Sequence, residues 1–284
     1  MAEVPRIGET GLGPAHLVLC HHSLLGVDFE DRVAAASAAG FDAVGLNLRE
    51  YRRLRDEGRT DDELRRTLER HGQWLYEMEA LGGWSSSGEE RERSRRAEED
   101  FFHMADAFGA RYLQAVGPHE GSLDDAAEAF GALCDRAGEH GLVVGLEFLP
   151  FTNIPDVTTA LRIVEGADRP NGGICADSWH FTRGTPDWEA LERVPGDRVA
   201  GVQIDDGPLE PEDDDYLRDC LENRRPPGQG DFDLERFVSI LDRIGSTAPI
   251  AVEVISVQLQ ERPAAETARI LAESTRALLG AVRA

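Results

Sequence analysis

Four consecutive apolar segments of the chain each end in a side chain that offers an oxygen atom to a ligand. Predicted strands five to eight end in Glu147, in Asp177, in Gln203 followed by Asp205, and in Glu253. The carboxyl ends of parallel strands meet at one rim of a barrel, so we expect these side chains to converge. Carboxylates that converge raise one another's pKa unless a cation lies among them. The pattern therefore predicts a divalent metal ion.

The chemistry of the expected ligands indicates which metal it would be. Glu147, Asp177, Gln203 and Glu253 form a set of oxygen donors, which favours Mn²⁺ or Mg²⁺ ahead of Co²⁺ or Zn²⁺. An acid at a strand end is also commonly a helix cap or half of an ion pair, and that alternative stays open. The residues two positions before the ligands share their face of each strand and are all small, which suggests room near a ring of polar groups. They are Gly145, Cys175, Gly201 and Ala251.

Five further side chains are candidates for contact with a substrate. His180 follows the end of strand six and is either a further metal ligand or a substrate contact. Arg183 and Arg224 lie near the metal motifs, and a planar guanidinium suits a carboxylate or phosphate on a substrate. His22 follows strand one, and Trp84 lies in the GGWSSSG loop after strand three, where it would cover a substrate. Purely structural roles remain the alternative for each.

The elements that must position these residues alternate regularly along the chain. Eight short apolar runs are separated by segments with helical periodicity, several of which begin at a capping residue. The predicted caps are Asp28, Thr60, Ser122 and Asp231. Eight strand-helix units over about 250 residues are typical of a closed barrel. An open doubly wound sheet is the rival, but HHSLLG after the first strand lacks its Gly-rich turn. We predict an α/β fold, a single (β/α)8 TIM barrel domain covering residues 1–284.

Composition excludes several kinds of chemistry and partner. The 54 acidic and 30 basic residues give a net charge of −24, and every basic residue is arginine, so chemistry that needs a lysine amine is excluded. The acidic balance disfavours nucleic acid and anionic membranes, and no segment has the apolar length of a membrane span. The four cysteines have no paired short spacing, which indicates a reducing cytoplasm.

Motifs in the second half of the chain resemble those of the sugar phosphate isomerase/epimerase family, within the xylose isomerase-like TIM barrel superfamily. They are GLEFLP (145–150), DSWHFTRG (177–184), VQIDDGP (202–208), RPPGQGDFDL (225–234) and VEV (252–254). The resemblance implies one divalent ion at Glu147, Asp177, Gln203 and Glu253, although most relatives have histidine where this chain has Gln203. It also implies that His180 contacts the substrate and that Glu147 and Glu253 form the acid/base pair.

The resemblance implies a metal-dependent isomerase or epimerase that acts on a ketose or keto-polyol through an enediolate. The alternative is a dehydratase of a cyclic polyol ketone such as 3-dehydroshikimate or 2-keto-inositol, since some dehydratases in the superfamily resemble this chain in using glutamine at Gln203. A DNA-repair nuclease with a related barrel is disfavoured by the charge, and a sugar-binding regulator by the intact Glu147 and Glu253. The expected partner is a small keto-sugar or keto-cyclitol, and a homo-oligomer is also allowed because relatives are often dimers or tetramers.

Overall fold

The structure, a computed structural model, describes residues 4–284, and its eight strands form a closed parallel barrel. The strands are β1 (Leu17–Leu19), β2 (Ala43–Asn47), β3 (Leu75–Leu81), β4 (Tyr112–Val116), β5 (Val143–Glu147), β6 (Gly172–Asp177), β7 (Val199–Ile204) and β8 (Ile250–Val252). They follow one another around the barrel in chain order, and β1 closes on β8 with Leu17 beside Ile250. The predicted (β/α)8 barrel is confirmed.

Helices connect the strands and cover the outside of the barrel. They are α1 (Phe29–Ala39), α2 (Leu48–Asp56), α3 (Asp61–Arg70), α4 (Gly88–Phe108), α5 (Leu123–Gly138), α6 (Val157–Ala167), α7 (Ser178–Arg183), α8 (Trp188–Glu192), α9 (Tyr216–Glu222), α10 (Leu234–Arg243), α11 (Val257–Gln260) and α12 (Ala264–Val282). A 3-10 turn, His21–Leu24, directly follows β1. Within residues 4–284, no helix combines the length and the apolar character needed to cross a membrane.

Capping residues set the starts of the helices much as the sequence predicts. The side chains of Asp28, Thr60 and Ser122 each accept a hydrogen bond from a backbone N–H in the first turn of the helix that follows. The prediction for Asp231 is wrong by two residues, because Asp233 caps α10 instead. These caps fix where each helix leaves the barrel and so where each strand ends.

A tyrosine inside the barrel explains why two of the four small residues before the predicted ligands, Gly145 and Gly201, are glycines. Tyr112, on β4, is buried inside the barrel and stacks on Tyr76 of β3 with ring centroids 6.2 Å apart. A Cβ atom at Gly145 or at Gly201 would collide with the Tyr112 hydroxyl. The expectation that these glycines leave room near a polar ring is therefore corrected, since they accommodate the Tyr112 side chain.

Candidate active site and metal centre

The four predicted metal ligands all lie at or next to the carboxyl ends of β5 to β8. Glu147 and Asp177 are the last residues of β5 and β6, and Glu253 directly follows β8. Gln203 is next to last in β7 and pairs in register with Asp177. All four side chains are buried. A barrel requires side chains at these positions to share one rim, and the strand ends place them there.

Glu147, Asp177 and His180 form one compact group. One potential ligand atom from each residue lies within 4.8 Å of the others, and His180 Nε2 is 3.6 Å from Glu147 Oε1. The backbone N–H of His180 donates to Asp177 Oδ1 at 2.8 Å, and His180 Nδ1 lies 2.7 Å from the Tyr216 hydroxyl. Burial lowers the pKa of His180 to about 4, so the imidazole is neutral near pH 7. A neutral imidazole can bind a metal or hydrogen-bond a substrate oxygen.

Arg224 joins this group to Glu253. Its Nη1 atom lies 3.3 Å from Asp177 Oδ2, 2.5 Å from Asp205 Oδ2 and 3.0 Å from Glu253 Oε2. The Arg224 side chain is only 2% exposed, so the guanidinium offsets the charge of three carboxylates out of contact with water. Asp205 therefore belongs to this cluster, although it is not one of the four predicted metal ligands.

The pKa values of Glu253 and Glu147 are shifted in opposite directions although both residues belong to this cluster. Burial raises the pKa of Glu253, but the charge of Arg224 and the hydrogen bond from His22 outweigh burial and hold that pKa at about 2. Burial, followed by the charge of Asp177, raises the pKa of Glu147 well above its usual range. Two carboxyl groups of opposite tendency in one site can act as a base and an acid.

Gln203 turns its amide toward the interior of the barrel. Its Oε1 accepts from Gln114 Nε2 at 3.1 Å and from Cys175 Sγ at 3.4 Å, and its Nε2 donates to Glu77 Oε1 at 3.3 Å. Gln203 therefore lies near the predicted strand end, but its side-chain amide hydrogen-bonds to side chains inside the barrel. Asp205, which directly follows β7 two residues after Gln203, contacts Arg224.

Arg183 and Trp84 lie in the packing around the site. The Arg183 guanidinium stacks on the Trp179 ring at 4.6 Å and donates to Asp219 Oδ2 at 3.0 Å. Trp84 is 1% exposed, and its Nε1 donates to the Val116 carbonyl at 2.9 Å. These contacts engage both side chains in the protein interior, and substrate binding by Arg183 and Trp84 stays a prediction.

His22 lies on the other side of Glu253, where the site meets a cavity. Its Nδ1 atom is 3.2 Å from Glu253 Oε1 and 2.6 Å from Glu79 Oε2, and its side chain is 29% exposed. The cavity has a volume of about 810 Å³ and is lined by His22 and Glu79 together with residues of α2. A space of this size suits a small molecule. The cavity therefore lies beside the His22–Glu79 contact, on the side of β2 and β3.

The sequence indicates Glu79 only weakly as a site residue. Glu77 and Glu79 share a face of β3, and both are 1% exposed. The sequence feature that points to Glu79 is Gly45 in β2, because a glycine inside a strand often marks a place where another group closely approaches the backbone. A Cβ at this position would lie 2.8 Å from Glu79 Oε1.

The cluster as a whole is suited to a divalent cation. Glu147, Asp177 and Glu253 are buried carboxylates that share one arginine, and burial of this many acids without a further cation is costly. Carboxylate oxygens with a neutral imidazole beside them suit Mn²⁺, Mg²⁺ or Zn²⁺. The residues present therefore fit the metal that the strand ends predict.

The chain belongs to a family defined by this fold. Residues 33–277 match the family model of the xylose isomerase-like TIM barrel. The resemblance noted in the sequence motifs is thereby confirmed.

Curated relatives include two kinds of enzyme. The chain is 31% identical over 156 residues to an inosose isomerase of Bacillus velezensis, an alignment that covers 54% of this chain and 54% of that enzyme. It is 27% identical over 243 residues to a 3-dehydroshikimate dehydratase of Pseudomonas aeruginosa, which covers 82% of this chain and 37% of that protein. The chain thus spans about half the length of the first relative and less of the second.

Solved structures share the fold. The structure of the IolI protein with a bound zinc atom superposes with a TM-score of 0.85 at 20% identity, covering 94% of this chain and 99% of IolI. At this level of identity the likeness is one of fold. Taken together, the relatives place the chain in a family of enzymes that includes isomerases and dehydratases of small molecules.

Proposed function

We propose that the protein is a divalent-metal-dependent isomerase or epimerase that acts on a ketose or keto-polyol through an enediolate intermediate. The observation that carries this proposal is that two buried carboxyl groups, Glu147 and Glu253, lie at one rim of the barrel on either side of Asp177 and Arg224. Isomerisation and epimerisation beside a ketone require one group that removes a proton and one that supplies a proton. The relatives that act as isomerases support the same chemistry.

Glu147, Asp177, Gln203 and Glu253 would hold the metal, with Mn²⁺ or Mg²⁺ preferred and Zn²⁺ or Co²⁺ as the alternatives. When bound, such a cation supplies Lewis-acid polarisation of the substrate's ketone, which makes the neighbouring C–H more acidic. For Gln203 to serve as a ligand, its amide must exchange the contact with Gln114 for one with the cation.

The protein's own groups carry the proton transfers. Glu253 is ionised and removes the proton from the carbon next to the ketone. Glu147 is the acid of the pair: it delivers a proton acquired from solvent to the opposite face or to the neighbouring carbon, which completes the isomerisation. His180 Nε2 lies 3.6 Å from Glu147 Oε1 and is suited to hold an oxygen of the substrate. Arg224 Nη1 contacts Asp177, Asp205 and Glu253, so Arg224 orients the carboxylates.

The second candidate is a dehydratase of a cyclic polyol ketone such as 3-dehydroshikimate or 2-keto-inositol. It is supported by glutamine at position 203, which distinguishes this chain from the usual histidine, and by relatives that dehydrate 3-dehydroshikimate. The first step is the same removal of a proton by Glu253. If the intermediate carries a β-hydroxyl group, protonation of that group by Glu147 expels water, and isomerisation does not follow.

Product analysis distinguishes the two candidates. The protein loaded with Mn²⁺ is incubated separately with keto-sugars, an inosose and 3-dehydroshikimate, and the products are followed by NMR and ultraviolet absorbance. An isomerase returns an isomer of unchanged mass without new absorbance. A dehydratase yields a product lighter by one water with absorbance from a new conjugated double bond. If no substrate in the panel changes in the presence of metal, this proposal is contradicted.

A further inference from the structure

Three potential metal ligands converge at the side of the site away from Asp177. His22 Nδ1 lies 2.6 Å from Glu79 Oε2 and 3.2 Å from Glu253 Oε1. One ligand atom from each of the three residues lies within 4.8 Å of the other two. These atoms come from the 3-10 turn after β1, from β3 and from the residue after β8, and none of the three residues belongs to the group formed by Glu147, Asp177 and His180.

One imidazole hydrogen serves two carboxylate oxygens in this group. His22 Nδ1 carries at most one hydrogen, and both Glu79 Oε2 and Glu253 Oε1 lie within hydrogen-bond distance of it. Apart from His22, Glu79 Oε2 has no polar partner within residues 4–284, although its side chain is 0% exposed. Two buried carboxylates that share a single hydrogen are costly.

The position of Glu79 is fixed by the surrounding backbone. Its Oε1 accepts a hydrogen bond from the backbone N–H of His21 at 3.0 Å. Gly45 makes the space, because a Cβ there would lie 2.8 Å from Oε1 and 3.1 Å from the His21 nitrogen. The adjacent His21 ring is engaged by Arg32, whereas the His22 ring faces the carboxylates. Gly45 and the His21 backbone therefore hold the Glu79 side chain opposite His22.

We propose that His22, Glu79 and Glu253 hold a second divalent cation, with Glu253 shared between the two metal positions. One imidazole nitrogen and two carboxylate oxygens suit Mn²⁺ or Zn²⁺, and three protein ligands leave a position for water or substrate. The cavity beside His22 and Glu79 supplies that access. This site goes beyond the proposed function, which needs a single ion.

The distances require only a small adjustment. A cation about 2.1 Å from each ligand sets neighbouring ligand atoms about 3.0–3.4 Å apart. The 3.2 Å between His22 Nδ1 and Glu253 Oε1 already fits, whereas the 2.6 Å to Glu79 Oε2 must widen by about half an ångström. His22 lies at the edge of the cavity and has room for this movement.

Counting bound ions tests the proposal without reference to turnover. The full chain is stripped with EDTA, dialysed against MnCl₂ and measured for manganese by elemental analysis and for Mn–Mn coupling by EPR. We expect two ions for the unchanged protein and one each for Glu79→Gln, His22→Gln and Asp177→Asn. Glu57→Gln, a carboxylate of the same cavity outside the cluster, should retain two. Circular dichroism checks that each variant is folded, and His22→Gln serves if Glu79→Gln is not.

Two results would overturn the second site. One is a single bound ion that is lost in Asp177→Asn and still present in Glu79→Gln. That result leaves the proposed function intact and makes the contacts of His22 an ordinary ion pair. The other is two ions that both remain in Glu79→Gln and His22→Gln. A protein that binds no manganese at all contradicts the second site and the proposed function together.

Discussion

Nη1 of Arg224 lies 3.0 Å from Oε2 of Glu253, and this contact keeps the carboxylate ionised inside the barrel mouth. The same nitrogen contacts Asp177 and Asp205. Within residues 4–284 no arginine forms an ion pair with Glu147, and burial, which outweighs the charge of Arg224, raises its pKa. Arg224, from the segment that connects β7 to α10, therefore acts more strongly on Glu253 than on Glu147.

Removing Arg224 should destabilise the metal-free protein and make its stability depend on metal. Arg224→Met leaves three buried carboxylates without their cation, which costs about 3–5 kcal/mol. A bound divalent ion offsets part of that charge, so Mn²⁺ should recover stability in urea unfolding. Arg183→Met is the matched control, because Arg183 is also buried and paired with Asp219, away from the carboxylate cluster. Equal recovery of both variants by Mn²⁺ would count against the assignment.

Glu253→Gln and Glu147→Gln should separate proton removal from product formation. Glutamine has nearly the same shape and cannot accept the proton, so Glu253→Gln should slow exchange of the substrate proton by about 10²–10⁴-fold. Glu147→Gln should retain that exchange and lose product. Exchange is followed by NMR and product by chromatography, with the metal content of each variant measured alongside. Full exchange in Glu253→Gln would remove this residue from the role of base.

Stability of the metal-free protein should decline as pH rises above the ordinary range of a carboxyl group. Burial, followed by the charge of Glu79, raises the pKa of Glu77 well above its usual value. Above about pH 4.5 the Glu77 carboxyl has lost its proton in the unfolded chain but keeps it in the folded chain. The free energy of unfolding therefore falls by up to about 1.4 kcal/mol per pH unit. The decline ends once the pH exceeds the pKa of Glu77 in the folded protein. Glu77→Gln should make that decline shallower in urea unfolding between roughly pH 5 and pH 8 with EDTA. The exposed Glu128→Gln should leave the slope unchanged, and an unchanged slope in Glu77→Gln would contradict the argument.

The strand ends were predictable from the sequence because two simple periodicities determine them. Alternating strands and helices fix the barrel, and the barrel directs the last residues of β5 and β6, Glu147 and Asp177, to one rim. The same reasoning gave Gln203 its position. The direction in which the Gln203 amide points was not predictable, because it depends on hydrogen bonds to Gln114 and Glu77 from other strands.

The remaining contacts depend on distances in space between residues far apart in the chain. His22 and Glu253 are separated by 231 positions, and closure of β1 on β8 brings them together. The sequence could not distinguish the surroundings of Arg183 and Arg224, which depend on packing: Arg183 contacts Trp179 and Asp219, whereas Arg224 contacts the carboxylate cluster.

Exchange of a substrate proton with solvent is the direct sign that this protein enolises a ketone with the help of a divalent cation. The protein is incubated in deuterated water with each keto-sugar and keto-cyclitol of the panel, once with Mn²⁺ and once with EDTA. We predict that at least one ketone gains deuterium at the carbon next to its carbonyl with Mn²⁺ and that exchange is lost with EDTA. Conversion of one of these substrates without incorporation of deuterium, or equally fast in EDTA, would show that metal-assisted enolisation is not the reaction.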